Sequence, residues 1–347
     1  MTLRSLLCNE ERCNFVRQIE INANQSGQRF DKFLQKYMRE ATKSFIYKML
    51  RKKNITLNGK KAQGNEKLEP GDKVVLFFSE ETLEKFCGGQ PRKKEGKKAA
   101  FPILYEDEQI LVINKPAGML SQKAKPDDVS LVELVQQYVG CEPGFSPGIC
   151  NRLDRNTSGI VVAGKTLPAL QKMSELFRIR EVEKYYLTIV KGAMTEKKEV
   201  DGYLLKDAKT NKAVVYREEK KGSSYIRTGY EPLVTTREMT LLRVHLMTGK
   251  PHQIRSHLSS LGHPVLGDVK YGGAHPQINH QLLHAYELRF PKLGKPFEKI
   301  SGKCFTATIP QIFYGTTIKP EITEQLKTIQ KQIAGGRKDE KSSNVIC

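Results

Sequence analysis

Residues 151 to 159 read NRLDRNTSG, and an apolar run begins directly after them at Ile160. A single carboxylate, Asp154, stands between Arg152 and Arg155 in this segment. Nearby cations favour the ionised form of a carboxylate, which can act as a nucleophile or base toward a sugar or a pyrimidine. The flanking guanidiniums can bind phosphate or hold the carboxylate in place. On spacing alone, a structural salt bridge at the start of a strand is the more common explanation of such a cluster.

The segment resembles the signature of the RluA-type pseudouridine synthases, whose usual form is His-Arg-Leu-Asp-Arg-x-Thr-Ser-Gly. This resemblance implies that Asp154 is the essential catalytic aspartate and that its neighbours contact RNA. The sequence departs from the signature at the first place, where Asn151 replaces the usual histidine. Because asparagine retains hydrogen-bond donors and an acceptor, we expect this change to affect nucleotide positioning more than chemistry. We assign Asn151, Arg152 and Arg155 to RNA binding.

Four further segments match the same family in the same order. They are YEDEQILVINKPAGML from residue 105, KYYLTIVKG from 184, TGKPHQIRSHLSSLGHPVLGDVKYGG from 248 and LLHAYELRFP from 282. Several ordered blocks are far more specific than one short motif. The resemblance covers roughly residues 101 to 313 and implies an α+β catalytic domain. Its central sheet is expected to be mixed and mostly antiparallel, with flanking helices and a cleft across its middle.

Two more catalytic candidates follow from the resemblance by position. Tyr186 matches the family's active-site tyrosine, which implies contact with the target base, although strand alternation alone favours a packing role. Arg255 matches the arginine of the HQIR block, which implies that it pairs with Asp154. It follows Ile254 on a predicted helix that ends at Gly262.

The reaction and the histidines both bear on cofactors. Pseudouridine formation breaks the N1–C1′ bond of uridine, turns the base and rejoins it through C5, with no net redox change, so we expect no cofactor.

The seven histidines fall within forty residues, at 245, 252, 257, 263, 275, 280 and 284. His280 and His284 have helical ligand spacing but no neighbouring carboxylate, and the other intervals fit no familiar zinc pattern. We therefore predict no metal site.

The N-terminal part carries a different pattern. Residues 28 to 38, QRFDKFLQKYM, place apolar side chains on one face of a helix, and a second helical pattern leaves five cations on its polar side. Those cations are Lys43, Lys48, Arg51, Lys52 and Lys53. Turn signals at Asn58-Gly59 and Gly71-Asp72 indicate short strands. The arrangement resembles the S4 RNA-binding domain, which implies that the basic helix contacts RNA; by pattern alone it is equally typical of a solvated surface.

Composition limits the partners and the compartment. The formal net charge is +20, which attracts polyanions and favours nucleic acid. The chain has no run of about 18 apolar residues and no apolar signal-peptide core, so we expect a cytoplasmic protein without membrane contact. We predict an S4-like domain over residues 15–84, a basic flexible linker over 85–100, the catalytic domain over 101–318 and a polar tail over 319–347.

The predicted function is isomerisation of specific uridines in structured RNA of the 23S ribosomal type. A non-catalytic S4-type RNA-binding or ribosome-assembly protein is the main alternative, and removal of Asp154 distinguishes the two because only an enzyme loses product while it keeps RNA affinity. A metal-dependent RNA hydrolase is a second alternative, which a chelator would inhibit.

Overall fold

The computed structural model describes residues 16–87, 99–207, 210 and 212–339, with side chains to residue 335. These residues form two compact units. The first contains the described residues before Ala99 together with Val135–Gly148 and Gly164–Gln171, and the second contains the rest. Most of the predicted linker, at 88–98, lies outside the described residues.

The N-terminal part of the first unit combines a small sheet with three helices. Its elements are β1 (Val16–Glu20), α1 (Phe30–Tyr37), α2 (Lys43–Arg51), β2 (Ile55–Leu57), β3 (Lys60–Lys61), β4 (Lys73–Phe77) and α3 (Glu80–Cys87). The strands pair antiparallel in the order β1-β4-β2-β3. Asn58 and Gly59 have positive φ values in the turn between β2 and β3, as the predicted turn requires. Helix α3 was not predicted.

The apolar periodicity of α1 and α2 is confirmed by burial. Phe30, Phe33 and Leu34 of α1 are fully buried, as is Ile46 of α2. Thr42 caps α2, because its hydroxyl accepts a hydrogen bond from the Phe45 amide at 3.2 Å. The opposite side of α2 and the turn after it remain exposed and carry Lys43, Lys48, Arg51, Lys52 and Lys53.

The remaining elements form the larger part of the fold. They are β5 (Ile103–Glu106), β6 (Ile110–Lys115), α4 (Leu131–Val139), β7 (Gly148–Ile149), β8 (Ser158–Gly164), α5 (Leu167–Ile179), β9 (Glu183–Lys191), β10 (Lys198–Lys206), β11 (Ala213–Tyr216), β12 (Ser224–Thr235), β13 (Met239–Leu246), α6 (Gln253–Ser260), β14 (Leu283–Arg289), β15 (Cys304–Thr306) and α7 (Pro320–Asp339).

One eleven-stranded sheet organises these elements. Its main order is β11-β10-β12-β13-β9-β14-β8-β6-β5, with β15 paired to β14 and β7 paired to β8. The pairing of β14 with β8 is parallel, whereas β9 pairs antiparallel with both β13 and β14. The predicted mixed, mostly antiparallel sheet is therefore confirmed. Strand β9 lies in its middle, so it can present side chains to a site on one face and to a core on the other.

The far face of β9 packs against the C-terminal helix. Leu187 and Ile189 share an apolar cluster with Ile322, Leu326 and Ile333 of α7. The segment predicted to be a polar tail thus contributes a helix to the core, and that helix continues through both glycines at 335 and 336. No helix in the described ranges is long and apolar enough to cross a membrane.

Candidate active site

A pocket of about 740 Å³ lies within the second unit. Its walls include residues 120–123, 150–155 and 249–255, with Lys184 and Tyr186 contributed by β9. The loop before β8, the centre of the sheet and the start of α6 therefore meet at one cavity. Three segments that match the RluA-type family are brought together there.

Asp154 sits in the tight loop that leads into β8. The Thr157 amide donates a hydrogen bond to the Asp154 carbonyl oxygen at 3.1 Å, which closes the turn. The Asp154 side chain is 25% exposed, so its carboxylate is open to a ligand. Nη1 of Arg255 donates to its Oδ2 at 2.8 Å. Among the described residues, the other carboxylate oxygen, Oδ1, accepts no hydrogen bond.

Two buried polar side chains, one at the end of β6 and one in the segment after it, hold this loop. The ammonium of Lys115 donates to the carbonyl oxygens of Pro116, Met119 and Arg155. The Ser121 hydroxyl donates to the Leu153 carbonyl at 2.7 Å and accepts from the Leu153 amide at 3.1 Å. Burial lowers the pKa of Lys115 to about 8, and Asp154 partly opposes that shift. The backbone on both sides of Asp154 is thereby fixed.

Arg255 is shared between two carboxylates. Its Nε and Nη2 donate to the two carboxylate oxygens of Asp268 at 2.6 and 2.9 Å, and its Nη1 reaches Asp154. The Asp268 side chain is only 1% exposed. Burial opposes the charge of Arg255, but hydrogen bonds to Asp268 and Asp154 outweigh it and raise the pKa of the guanidinium. Because a bidentate pair fixes the guanidinium plane, Asp268 sets the direction from which Arg255 meets Asp154.

The arginines that flank Asp154 in sequence do not hold its carboxylate. In the described part of the chain neither makes an ion pair with it: Arg152 donates to the Gln122 amide oxygen at 3.2 Å and Arg155 to the Gly118 carbonyl at 3.1 Å. Both side chains are exposed and line the pocket. The contacting cation is Arg255, which lies 101 residues away in sequence. Arg152 and Arg155 thus remain RNA-binding candidates, but not as partners of Asp154.

Asn151 is engaged with the backbone of β8. Its amide nitrogen donates to the Ile160 carbonyl at 3.1 Å, and its amide oxygen accepts from the Val162 amide at 2.8 Å. The side chain thus fixes the path of the loop into β8. Its predicted contact with RNA stays a prediction.

Tyr186 projects from β9 into the pocket and is only 6% exposed. Burial, followed by the nearby charge of Asp154, raises the pKa of its hydroxyl far above the ordinary value. The phenol is therefore neutral across the physiological range. The structure brings Tyr186, Asp154 and Arg255 to one cavity, as the resemblance implied.

Asp268 and His252 also belong to this site, although sequence reasoning gave them no role. The Nδ1 atom of His252 lies 2.8 Å from the Tyr271 hydroxyl, and its Nε2 lies 3.9 Å from Oδ2 of Asp154. His252 has a φ of 59°, which is uncommon for a residue with a side chain. Both residues fall in the matching segment that begins at residue 248. The sequence feature that could have identified them is a carboxylate and a histidine without an assigned role in the same segment as Arg255.

The histidine pair considered for metal binding and the basic residues of α2 are not among the residues that line this pocket. His280 and His284 do not share a helix, because Leu283–Arg289 forms strand β14, and Nδ1 of His284 instead lies 2.8 Å from the Ser158 hydroxyl. Among the residues that the structure describes, no group of three or more His, Cys, Asp or Glu side chains could hold a metal ion. The basic residues of α2 belong to the first unit, whereas the pocket walls belong to the second.

Comparisons with known proteins give a consistent result. A sequence model described as RNA pseudouridylate synthase matches residues 109–260, and one described as S4 domain matches residues 28–74. Ribosomal large subunit pseudouridine synthase C of Vibrio vulnificus is 32% identical over 296 residues, which cover 82% of this chain and 91% of that protein. The protein of the same name from Escherichia coli is 31% identical over 289 residues, covering 80% and 90%.

A solved structure shows the same fold. Human RNA Pseudouridylate Synthase Domain Containing 4 superposes with a TM-score of 0.50 at 24% identity, covering 65% of this chain and 93% of that one. At this identity the likeness concerns the fold alone.

Proposed function

The chain belongs to the RNA pseudouridylate synthase family, and from that premise we propose that it isomerises specific uridines of large-subunit ribosomal RNA with Asp154 as the essential catalytic carboxylate. The observation that carries the proposal is the geometry of Asp154. One of its oxygens is fixed by Arg255 at 2.8 Å, the other has no hydrogen-bond partner among the described residues, and the residue lines the pocket. A reactive carboxylate needs this combination of fixed orientation and an open oxygen.

The pocket residues divide the work as follows. Asp154 acts on the ribose or the ring of the uridine, by attack at C1′, by removal of a C2′ proton or by addition to the base. In each case the bond between N1 of the base and C1′ of the ribose breaks, the base turns, and C5 bonds to C1′, so that N1 gains the proton that C5 loses and any proton taken from C2′ returns to it. Arg255 keeps the carboxylate in place. Tyr186, as a neutral phenol, packs against the base and donates rather than accepts a proton.

The target nucleotide has to leave its stack to reach Asp154. This extrusion costs on the order of a few kcal/mol, which contacts to the RNA backbone must offset. The exposed Arg152 and Arg155 on the pocket wall and the basic face of α2 are suited to that role. An S4 domain and two relatives that are named as large-subunit enzymes support ribosomal RNA as the substrate.

Pseudouridine mapping of total RNA tests the substrate. RNA from cells that produce the chain is compared with RNA from cells that lack it and from cells that produce the Asp154→Ala variant. We expect defined positions in large-subunit ribosomal RNA to lose pseudouridine in both of the latter samples. Loss confined to transfer RNA would contradict the ribosomal assignment, and unchanged modification in the variant would favour a non-catalytic RNA-binding protein.

A further inference from the structure

We propose that Lys184 and Arg180 form a binding site for a backbone phosphate of RNA, next to the uridine that enters the pocket. The inference rests on the proposed function, since it names how that same pocket holds its substrate. It concerns two residues for which neither the signature nor the match at Tyr186 supplies a role.

Lys184 has a mostly buried side chain, and its ammonium has no counter-ion among the described residues. The residue is 8% exposed, yet its ammonium makes no hydrogen bond or ion pair within the described part of the chain. Burial, followed by the nearby guanidinium of Arg180, lowers the pKa of Lys184 to about 8. A desolvated ammonium beside a second cation is unfavourable unless an anion joins them.

Arg180 is the second cation of the pair. It lies in the turn between α5 and β9, is exposed, and forms no ion pair among the residues that the structure describes. Its φ of 68° is left-handed, a conformation that glycine normally supplies after a helix. Arg180 thus places a long basic side chain at a position where glycine would be less strained.

The position of Lys184 and Arg180 relative to Tyr186 indicates that their ligand is a backbone phosphate. Alternation along β9 places Lys184 and Tyr186 on the same face, about 7 Å apart along the strand. Both residues, and Arg180, line the pocket. A base that packs against Tyr186 therefore brings a phosphate of its own backbone toward the two cations. The apolar neighbour of Lys184 across the sheet, Leu288, offers no competing acceptor from its side chain.

The test uses the full-length protein and a stem-loop RNA that contains a uridine shown by mapping to be modified. A neutral methylphosphonate replaces the phosphate on either side of that uridine. We expect one of the two replacements to weaken binding to the unaltered protein about tenfold, the usual size of a lost charged hydrogen bond. Lys184→Met should weaken binding of the RNA with normal phosphates by a similar factor. With the RNA that carries the critical methylphosphonate, the same substitution should cause no further loss. Lys184→Arg should restore most of the affinity.

Three controls separate this site from general charge and from misfolding. Lys327→Met removes one exposed charge elsewhere in the second unit and should leave RNA affinity unchanged. Arg180→Gly should weaken binding while the melting temperature stays equal or rises, because glycine tolerates the left-handed backbone. Inorganic phosphate should compete only weakly with RNA.

The phosphate site would be overturned if the affinity losses from the methylphosphonate and from Lys184→Met were additive. It would also be overturned if inorganic phosphate competed strongly with RNA while neither methylphosphonate replacement changed the affinity. Uridine conversion is measured in the same reactions. If the unaltered protein makes pseudouridine while the losses are additive, only the phosphate site fails. If it makes none from any mapped RNA, the proposed function fails first.

Discussion

At the scale of single residues, the site depends on how Arg255 divides its donors. Its Nε and Nη2 atoms donate to the buried carboxylate of Asp268, and its Nη1 atom donates to Asp154. The guanidinium thus acts as a rigid spacer between a structural carboxylate and the proposed catalytic one. Lysine cannot replace it, because an ammonium is a point donor without a fixed plane.

Arg255→Lys should therefore lower kcat more than it raises KM. A displacement of the carboxylate by about 1 Å is enough for a loss of about 100-fold. Single-turnover conversion at saturating RNA measures the effect. Asp268→Asn should act in the same direction, although Asp268 does not touch the substrate. A normal kcat with either variant would show that Arg255 does not position Asp154.

Two buried histidines make stability depend on pH. Burial lowers the pKa of both His257 and His284 to about 4, with small opposing contributions from Asp201 and from the Ala307 carbonyl respectively. In the unfolded chain each titrates near its ordinary value, so between about pH 6.5 and 4 the unfolded state takes up protons that the folded state does not. The free energy of unfolding should therefore decrease as the pH is lowered from 6.5 to 4, by on the order of 3 kcal/mol for each histidine.

Thermal unfolding followed by circular dichroism at several pH values checks this expectation. His284→Gln serves as the comparison, since it removes one of the two groups while carboxylate titration stays the same. The variant should lose less stability than the unaltered protein between pH 6.5 and 4. Equal losses would contradict a depressed pKa for His284.

At the scale of elements, the parallel contact between β8 and β14 sets the position of the loop that carries Asp154. A Cβ atom at Gly159 would lie 2.2 Å from the Ala285 carbonyl oxygen, and the residue has a φ of 116°. Glycine is therefore required at the end of the signature by both space and conformation. The close approach ties the loop that carries Asp154 to a strand that neighbours β9.

Gly159→Ala should destabilise the fold by about 3 kcal/mol or more, since backbone atoms must move. Gly262→Ala is the matched control: its φ of 83° is also left-handed, but nothing lies within 4 Å of the added Cβ, so about 1 to 2 kcal/mol is expected. Chemical denaturation measures both. Equal losses would mean that conformational strain, and not the contact with β14, explains the requirement.

Local patterns predicted most elements that bury one clear face. The periodicities of α1 and α2 correspond to observed helices, and the helix predicted to end at Gly262 corresponds to α6. One helix before Gly335 was compatible with the sequence, but the burial of α7 was not predicted, because its apolar residues Ile322, Leu326 and Ile333 are widely spaced among charged neighbours. Packing against the sheet stabilises it, and single-sequence patterns do not contain that contact.

The same limit applies to the site. Resemblance brought Asp154, Tyr186 and Arg255 forward, and the structure places all three at one pocket. Of the two roles considered for the adjacent arginines, contact with the Asp154 carboxylate is not observed among the described residues, because Arg152 donates to Gln122 and Arg155 to Gly118. The role of Asp268, and a Lys184 ammonium with no partner among the described residues, could not be found from spacing, since both depend on contacts between distant segments.

At the scale of the whole molecule, a net charge of +20 is distributed over two units with different tasks. The exposed basic face of α2 can bind phosphate without regard to sequence, whereas the proposed chemistry belongs to the pocket of the second unit. Binding and turnover should therefore respond to different substitutions.

The triple variant Lys48→Ser, Arg51→Ser and Lys52→Ser should weaken RNA binding and reduce the slope of log K against log salt by about 2 to 3, if each residue neutralises one phosphate. The rate at saturating RNA should stay unchanged. Filter binding over a salt series provides the slope. Serine substitutions at the exposed Lys292, Lys299 and Lys327 remove the same charge elsewhere, and an equal change in slope there would contradict a specific role for α2.

The most direct measurement is single-turnover conversion of uridine to pseudouridine by Asp154→Asn, at saturating concentrations of protein, with RNA affinity measured in parallel. Asparagine keeps the size of the side chain and one acceptor for Arg255 but removes the carboxylate. We predict conversion at least about 10⁴-fold slower, as for removal of a nucleophile or base, with RNA affinity within a few-fold of the unaltered protein. Conversion at the normal rate would contradict the account.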